Sequence, residues 1–429
     1  MSKFQIIVLA IFVICIIIGV ALFSTYKGSS TEDTLPTITV WGTFPSSVFS
    51  NYVQQVNNAR QTQLSVNYTQ KTFSNFDKDF IETLARGRGP DALLIPQDML
   101  ARHADKLIPI PYSVFSERDF KNSYIAQAEI YLTNQGIVGV PLTVDPLVMY
   151  WNRDLFTNAG IAQPPVFWDE FENIISKINQ KDVNSNIRRS AIALGEFNNL
   201  THAREILSAL FFQSGNPITV RGEGVESTLG DRKYKGTQTS IPAVEFFTRF
   251  SNPQRKDYSW NRSLPQSKSW FLSGNLATYF GFSSESSDLR NKNPNIDFDI
   301  APLPQARGGK NRATYGSMYG FSVVRTATDQ LGTYNVIQIL TAPDSLALLS
   351  DLTYLPPVRR DMIASGSTDP YQSIFYDSAL ISKGWLDTNS TKSTTVFQKM
   401  VESITSGRAD LYTAVDTASN EIDLYLQNP

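Results

Sequence analysis

The 429-residue chain holds one cysteine and two histidines. A single cysteine excludes an internal disulfide, and two histidines leave little from which to build a metal site or a catalytic dyad. Neither a metal nor a cofactor is expected. An excess of charge of one sign is missing as well, since 38 Lys and Arg residues stand against 40 Asp and Glu residues for a net charge of −2. Nothing in that balance attracts nucleic acid.

What is present is an ordinary folded composition, 41% hydrophobic and 12% aromatic, on a chain long enough for two or three domains. From Phe4 to Phe23 the only polar side chain is Gln5, and after Lys3 no charge appears until Lys27. Such a run can span a bilayer. Its end, Val20-Ala21-Leu22-Phe23-Ser24, has no small-residue cleavage pattern, and Cys15 lies in mid-run rather than at the end where a lipidated cysteine belongs. The reading is an uncleaved single-pass anchor over residues 1–27, with a removed signal as the alternative. Residues 28–36 are a tether of Gly, Ser, Thr, acidic residues and Pro, and the remainder is placed on the outer side of the cell membrane, extracellular or periplasmic.

Beyond the tether, alternation at Ile38 and Val40 predicts a strand, and Phe49, Tyr52, Val53 and Val56 predict a helix capped by Ser46 or Ser47. Leu64, Val66 and Tyr68 alternate again, Phe76, Phe80 and Leu84 form a second helical stripe, and residues 92–95 read as a buried strand. The order βαβαβ implies a parallel sheet covered by helices. Further on, Trp168, Phe171, Ile175 and Ile178 mark one helix, and 206–211, 243–250, 333–340, 396–404 and 411–426 mark others. Strands are expected at 191–194, 277–280 and 322–324.

The stretch Gly139 to Leu155 is an apolar run broken once, at Asp145-Pro146, before the polar block Asn152-Arg153-Asp154. It reads as a chain leaving one packed body for another. Asp145, among Val144, Pro146 and Leu147, needs a partner or a ligand for its oxygens. Asn152, Arg153 and Asp154 are assigned to structure, and so is Asp91, as a residue bonding the turn at Gly89.

Several blocks in shared order carry a resemblance. They are the Gly89-Pro90-Asp91 turn, Leu107-Ile108-Pro109, Val140-Pro141 through Tyr150-Trp151-Asn152-Arg153-Asp154, Pro164-Pro165 with Trp168-Asp169-Glu170, Phe271-Leu272-Ser273-Gly274, and Ala301-Pro302-Leu303-Pro304. The chain resembles the extracellular solute-binding proteins of ATP-binding-cassette importers, most closely the maltose-binding-protein-like branch. One departure is Phe167, where the family usually has a helix-capping threonine. The resemblance implies a periplasmic-binding-protein-like type II fold, two α/β lobes joined by a hinge with the ligand cleft between them. Residues 37–143 plus 321–351 would form one lobe and 144–320 plus 352–429 the other, with crossings near 140–146, 318–321 and 349–355. A monomer that closes on a carbohydrate and delivers it to permease subunits is the function it implies.

Candidate ligand contacts follow from strand ends, where open α/β sheets place ligands. Trp41, Phe44, Pro45 and Ser46 follow the first strand, and Gln97 and Asp98 follow the strand at 92–95. By position in the resembling family, Asp145 is an acidic sugar contact, Asn198 and Asn199 lie in a ligand loop, and Phe282, Ser283 and Ser284 occupy a loop that often holds an aromatic platform. Gly316, Ser317 and Tyr319 at the second crossing, and the aromatics Tyr354 and Trp385, complete the set. His202 is set aside as a lone surface or capping histidine. Asp297 and Asp299 are read as a solvated edge, so no paired carboxylates support a glycosidase or lyase, and no enzyme activity is expected. A surface binder uncoupled from transport remains an alternative, as does a binder of glycerol phosphate or polyamine.

Overall fold

The computed structural model describes residues 35–222, 224–230 and 239–427. The apolar N-terminal run and nearly all of the tether lie outside them. Among the described residues no helix is long and apolar enough to cross a membrane.

Ile38–Gly42 pairs in parallel with Val66–Gln70 on one side and Ala92–Pro96 on the other. Helices Ser46–Arg60 and Phe73–Ala85 make the two crossovers, burying Phe49, Tyr52 and Val56 in one case and Phe76 and Phe80 in the other. The first helix is not capped by Ser46 or Ser47. Pro45 takes the cap position at φ −59°, and the Ser46 N–H donates to Gln70 Oε1 at 2.9 Å. Asp91 holds the first strand rather than the Gly89 turn, because its Oδ2 accepts from the Thr39 N–H at 2.8 Å and the Thr39 hydroxyl at 2.7 Å.

The main sheet continues from Ala92–Pro96 through Thr314–Val324, Val140–Asn152, Leu276–Phe282 and Ile187–Ile192 to Gln180–Lys181. Two of these strands are long, 13 and 11 residues, and each runs through two hydrophobic cores. On Val140–Asn152, residues up to Val144 pack in the first core and those from Leu147 in the second. On Thr314–Val324 the change falls between Tyr315 and Met318, slightly earlier than the 318–321 expected.

The last passage differs more. Val358, Ile363 and Ala379 still pack in the first core, whereas Phe375 and Trp385 pack in the second. Helix Pro370–Leu380 serves both, so the chain changes cores near 380–384 rather than at 349–355. Short strand Ser382–Lys383 then pairs with Thr314–Val324 at that junction.

Where threonine was expected before Trp168, other groups meet the free amides. Trp168 N–H donates to the Gln305 carbonyl at 3.1 Å, and Val166 N–H to Glu170 Oε2 at 2.9 Å. Asn152 is structural, as its Oδ1 accepts from Leu155 N–H and caps the next helix.

Candidate functional site

Register decides which side chains meet. Tyr319 pairs with Pro96 on one side and Thr143 on the other, and Ser317 pairs with Asp145. The end of Leu276–Phe282 lies against Leu147, which brings Phe282, Ser283 and Ser284 beside Asp145. Thr43 and Phe44 arrive from the end of the first strand.

The resulting group is aromatic on one side and acidic on the other. Phe44 meets Tyr319 edge to face, with centroids 5.3 Å apart at 76°, and the Thr43 hydroxyl donates to the Tyr319 hydroxyl at 3.5 Å. Asp145 Oδ1 accepts from Ser283 Oγ at 2.7 Å and from Ser284 N–H at 3.1 Å. Burial pushes the Asp145 carboxyl above its ordinary value despite those donors. Tyr319 is also raised, first by burial and then by the charges of Asp98 and Asp145, with the Thr43 bond opposing. The Tyr150 hydroxyl donates to the Phe282 carbonyl at 2.7 Å and fixes the loop from below.

Asp98, half-buried at the start of Gln97–Arg102, faces charged groups of the second core. Burial raises its carboxyl, Arg204 opposes the rise and Asp387 adds to it. Arg204 is 6% exposed and satisfied by protein: it donates to Asp387, to Ser393 Oγ at 2.9 Å and to Glu205 at 3.0 Å. Trp385 lies beneath it, 5.2 Å from the guanidinium and stacked on Phe397. That tryptophan is buried support for the floor.

The other expected contacts are placed differently. One face of the half-buried Trp41 ring is covered by the Lys71 ammonium, 4.1 Å from its centroid. Pro45 and Ser46 are exposed at the helix start. Gln97 is buried and donates to the Gly316 carbonyl at 3.2 Å, while Gln127 donates to both Gln97 and that carbonyl. A Cβ at Gly316 would stand 2.3 Å from Gln127 Oε1, 2.9 Å from Ser382 Cβ and 3.0 Å from Val144 Cγ2, so a larger residue would displace this packing.

Asn199 is spent on a packed neighbouring loop, donating to the Asn261 and Leu264 carbonyls and accepting from Trp260 Nε1. Asn198 is exposed and donates to Glu402 at 2.6 Å. Tyr354 stands 55% exposed at the end of Pro343–Thr353, in the left-handed conformation at φ 60°. These three do not join the group around Asp145.

Thr43, Arg204, Tyr315, Glu285 and Asp387 belong to the site's surroundings without having been expected there, and His202 returns to it. His202 donates to Glu285 at 2.6 Å and packs edge-on to Phe282. An arginine beside Glu205 at the head of the mostly apolar helix Ala203–Ser214 was the one hint of Arg204, and it does not name a partner.

A profile described as bacterial extracellular solute-binding protein matches residues 51–373. Curated relatives named as binding proteins, one from Brucella abortus (strain 2308), are 29% identical over 99 residues. That match spans 22% of this chain and 23% of the relative's length. The fold is similar to a cyclo/maltodextrin-binding protein solved with maltotetraose, at TM-score 0.71 and 18% identity over 91% of this chain and 97% of that one. It is also similar to a cyclic alpha-maltosyl-1,6-maltose binding protein from Arthrobacter globiformis, at TM-score 0.73 and 16% identity over 91% and 99%. A mannotriose-bound protein, CpMnBP1, aligns at TM-score 0.66 and 17% identity over 90% and 99%.

Proposed function

Because this chain belongs to the bacterial extracellular solute-binding proteins, we propose that it captures a carbohydrate in the cleft around Asp145. The observation that carries this reading is the Tyr319 ring, packed edge to face on Phe44 and within electrostatic reach of the Asp145 carboxylate, where two strands pass between the cores. Rings contact the apolar faces of a sugar, and a carboxylate accepts from its hydroxyls. Neighbours solved with maltotetraose and mannotriose support the same ligand class. A phosphate is favoured less, since Arg204 is already committed to Asp387.

In this reading the two cores are the lobes, dividing on the long strand between Val144 and Leu147, with residues 352–379 attached mainly to the first. They close by hinge motion at 145–146 and 316–317. The N-terminal run would anchor the protein, with the lobes outside handing the sugar to an importer permease.

Thermal unfolding of the purified chain against maltodextrins, mannooligosaccharides, sugar phosphates and polyamines tests the reading. A ligand at 100 times its Kd stabilises the folded state by about 2.7 kcal/mol, a shift of several degrees. No shift with any saccharide, or a shift with polyamines alone, would remove the carbohydrate reading.

A further inference from the structure

The Phe282–Ser284 loop supplies both donors that meet Asp145; Tyr150 holds its Phe282 carbonyl and Ser283 N–H donates to the Pro146 carbonyl, while the Phe282 N–H is left to the Glu285 side chain. Glu285 opens the Glu285–Lys292 helix and folds back under the strand end. Its Oε1 accepts from Phe282 N–H at 2.9 Å and from His202 Nε2 at 2.6 Å. Its Oε2 accepts from Lys268 Nζ at 2.5 Å and from the Tyr279 hydroxyl at 2.9 Å. Gly281 makes room for this, since a Cβ there would stand 2.5 Å from the Tyr279 ring and 2.9 Å from Glu285 Oε1.

His202 is held in the left-handed conformation at φ 60°, with its ring 4.8 Å from that of Phe282 at 74°. A non-glycine residue keeps that backbone only when its surroundings over-determine it. Here the Glu285 carboxylate and the Phe282 ring do so together.

We infer that His202 and Glu285 form a positioning pair that fixes the Phe282–Ser284 loop against Asp145, so that ligand affinity falls as pH rises. The affinity part rests on the cleft being the ligand site. The loop part does not.

The charges facing His202 are Glu285 from the adjoining helix, Glu205 on its own helix and Asp145 on the long strand. Lys268, shared between Glu285 and Asp288, is the competing cation on Glu285. Burial lowers the His202 pKa, but the Glu285 bond and these three carboxylates raise it above 6.5 on balance. Burial raises Glu285, yet His202 and Lys268 bring it down to about 2, so it stays ionised throughout the range of interest. The charged pair is therefore fully present below 6.5, and its charge assistance is lost as pH rises through the elevated His202 value, leaving at most a neutral imidazole bond to Glu285.

Hydrogen exchange on the full chain without ligand tests the pair directly. Protection of the Phe282 and Ser284 amides, corrected for intrinsic exchange and referenced to strand Ile187–Ile192, is followed from pH 5.5 to 9. Protection should fall roughly 10-fold as His202 deprotonates, the loss expected for one charge-assisted bond. In His202→Asn the curve should be flat, asparagine being chosen because it tolerates a positive φ. Glu285→Gln should lower protection at every pH, and it decides the matter with the parent curve if His202→Asn does not fold.

Constant protection in the parent across the His202 titration, or an unchanged drop in His202→Asn, overturns the inference. Where a saccharide binds, its Kd should rise with the same midpoint in the parent only. Exchange requires no ligand, so failure of every saccharide would sink the carbohydrate reading and leave the pair to be judged separately.

Discussion

Replacing Asp145 with asparagine removes a charge and keeps the shape. The amide oxygen can still accept from Ser283 Oγ and Ser284 N–H, which lie 2.7 and 3.1 Å from Oδ1. Burial already holds the Asp145 carboxyl above its ordinary value, so the ionised form is disfavoured by folding and the neutral amide relieves that cost. Stability at pH 7 should stay level or rise. Binding should move the other way, because a hydrogen bond to a charged group contributes about 1.5–3 kcal/mol and one between neutral groups about 0.5–1.5. The difference, about 1 kcal/mol, is roughly a 5- to 10-fold rise in Kd. Titration calorimetry with the saccharide giving the largest thermal shift reads the first quantity, and melting of the unliganded variant reads the second. Asp145→Ala is the companion, since it also leaves the buried Ser283 hydroxyl unmet and should cost about 1–3 kcal/mol of stability. An asparagine variant that binds as tightly as the parent and melts several degrees lower would refute the reasoning. Asp145 would then be a strut between strands.

Acid should unfold the protein partly through Glu285, whose pKa is brought down from 4.5 to about 2. Its contribution is present above 4.5 and lost as pH falls towards 2, and is at most about 3 kcal/mol. The acid-unfolding curve of Glu285→Gln should be flatter across that window. Asp387→Leu should cost about 3–5 kcal/mol in denaturant titrations, because it leaves a buried guanidinium without its main partner. The double variant Arg204→Met with Asp387→Leu should recover most of that loss, and no recovery would mean the pair is not energetically coupled.

Elements formed by neighbours in sequence were the readable ones. The crossovers between Ile38–Gly42, Val66–Gln70 and Ala92–Pro96 are local, so period alone marks them. Gly139 to Leu155 was readable because an apolar run of that length with one aspartate suits no single core. Helix Pro370–Leu380 was not, since it shows Phe375 to one core and Ala379 to the other, and that division exists only after both are assembled. The site divides similarly. Asp145 announces itself by its apolar flanks. Asn199 looked equally available, yet its amide is consumed by carbonyls 62 and 65 residues away. Arg204 could not be assigned, because its partner Asp387 lies 183 residues further along.

The position of the acid also bears on how capture and closure would be linked. Two continuous strands join the cores, so a hinge rotation must be absorbed near Asp145-Pro146 and Gly316-Ser317, which pair directly. A register shift between Tyr319 and Gly320 loosens the ladder just beyond. Groups at a pivot move least, so under the proposed closure Asp145, Ser317 and Tyr319 would meet a ligand in an open or a closed cleft. Asp98 and Arg102 stand further out on the first core, facing Arg204, Asp387 and the Thr388 carbonyl, which accepts from Arg102 Nε at 2.5 Å. Under the proposed closure such contacts between the cores would form as the lobes approach. In this arrangement the pivot residues would supply first recognition, and the free energy favouring the closed state would come from contacts between the cores around Asp98 and Arg102, made directly or through the bound sugar.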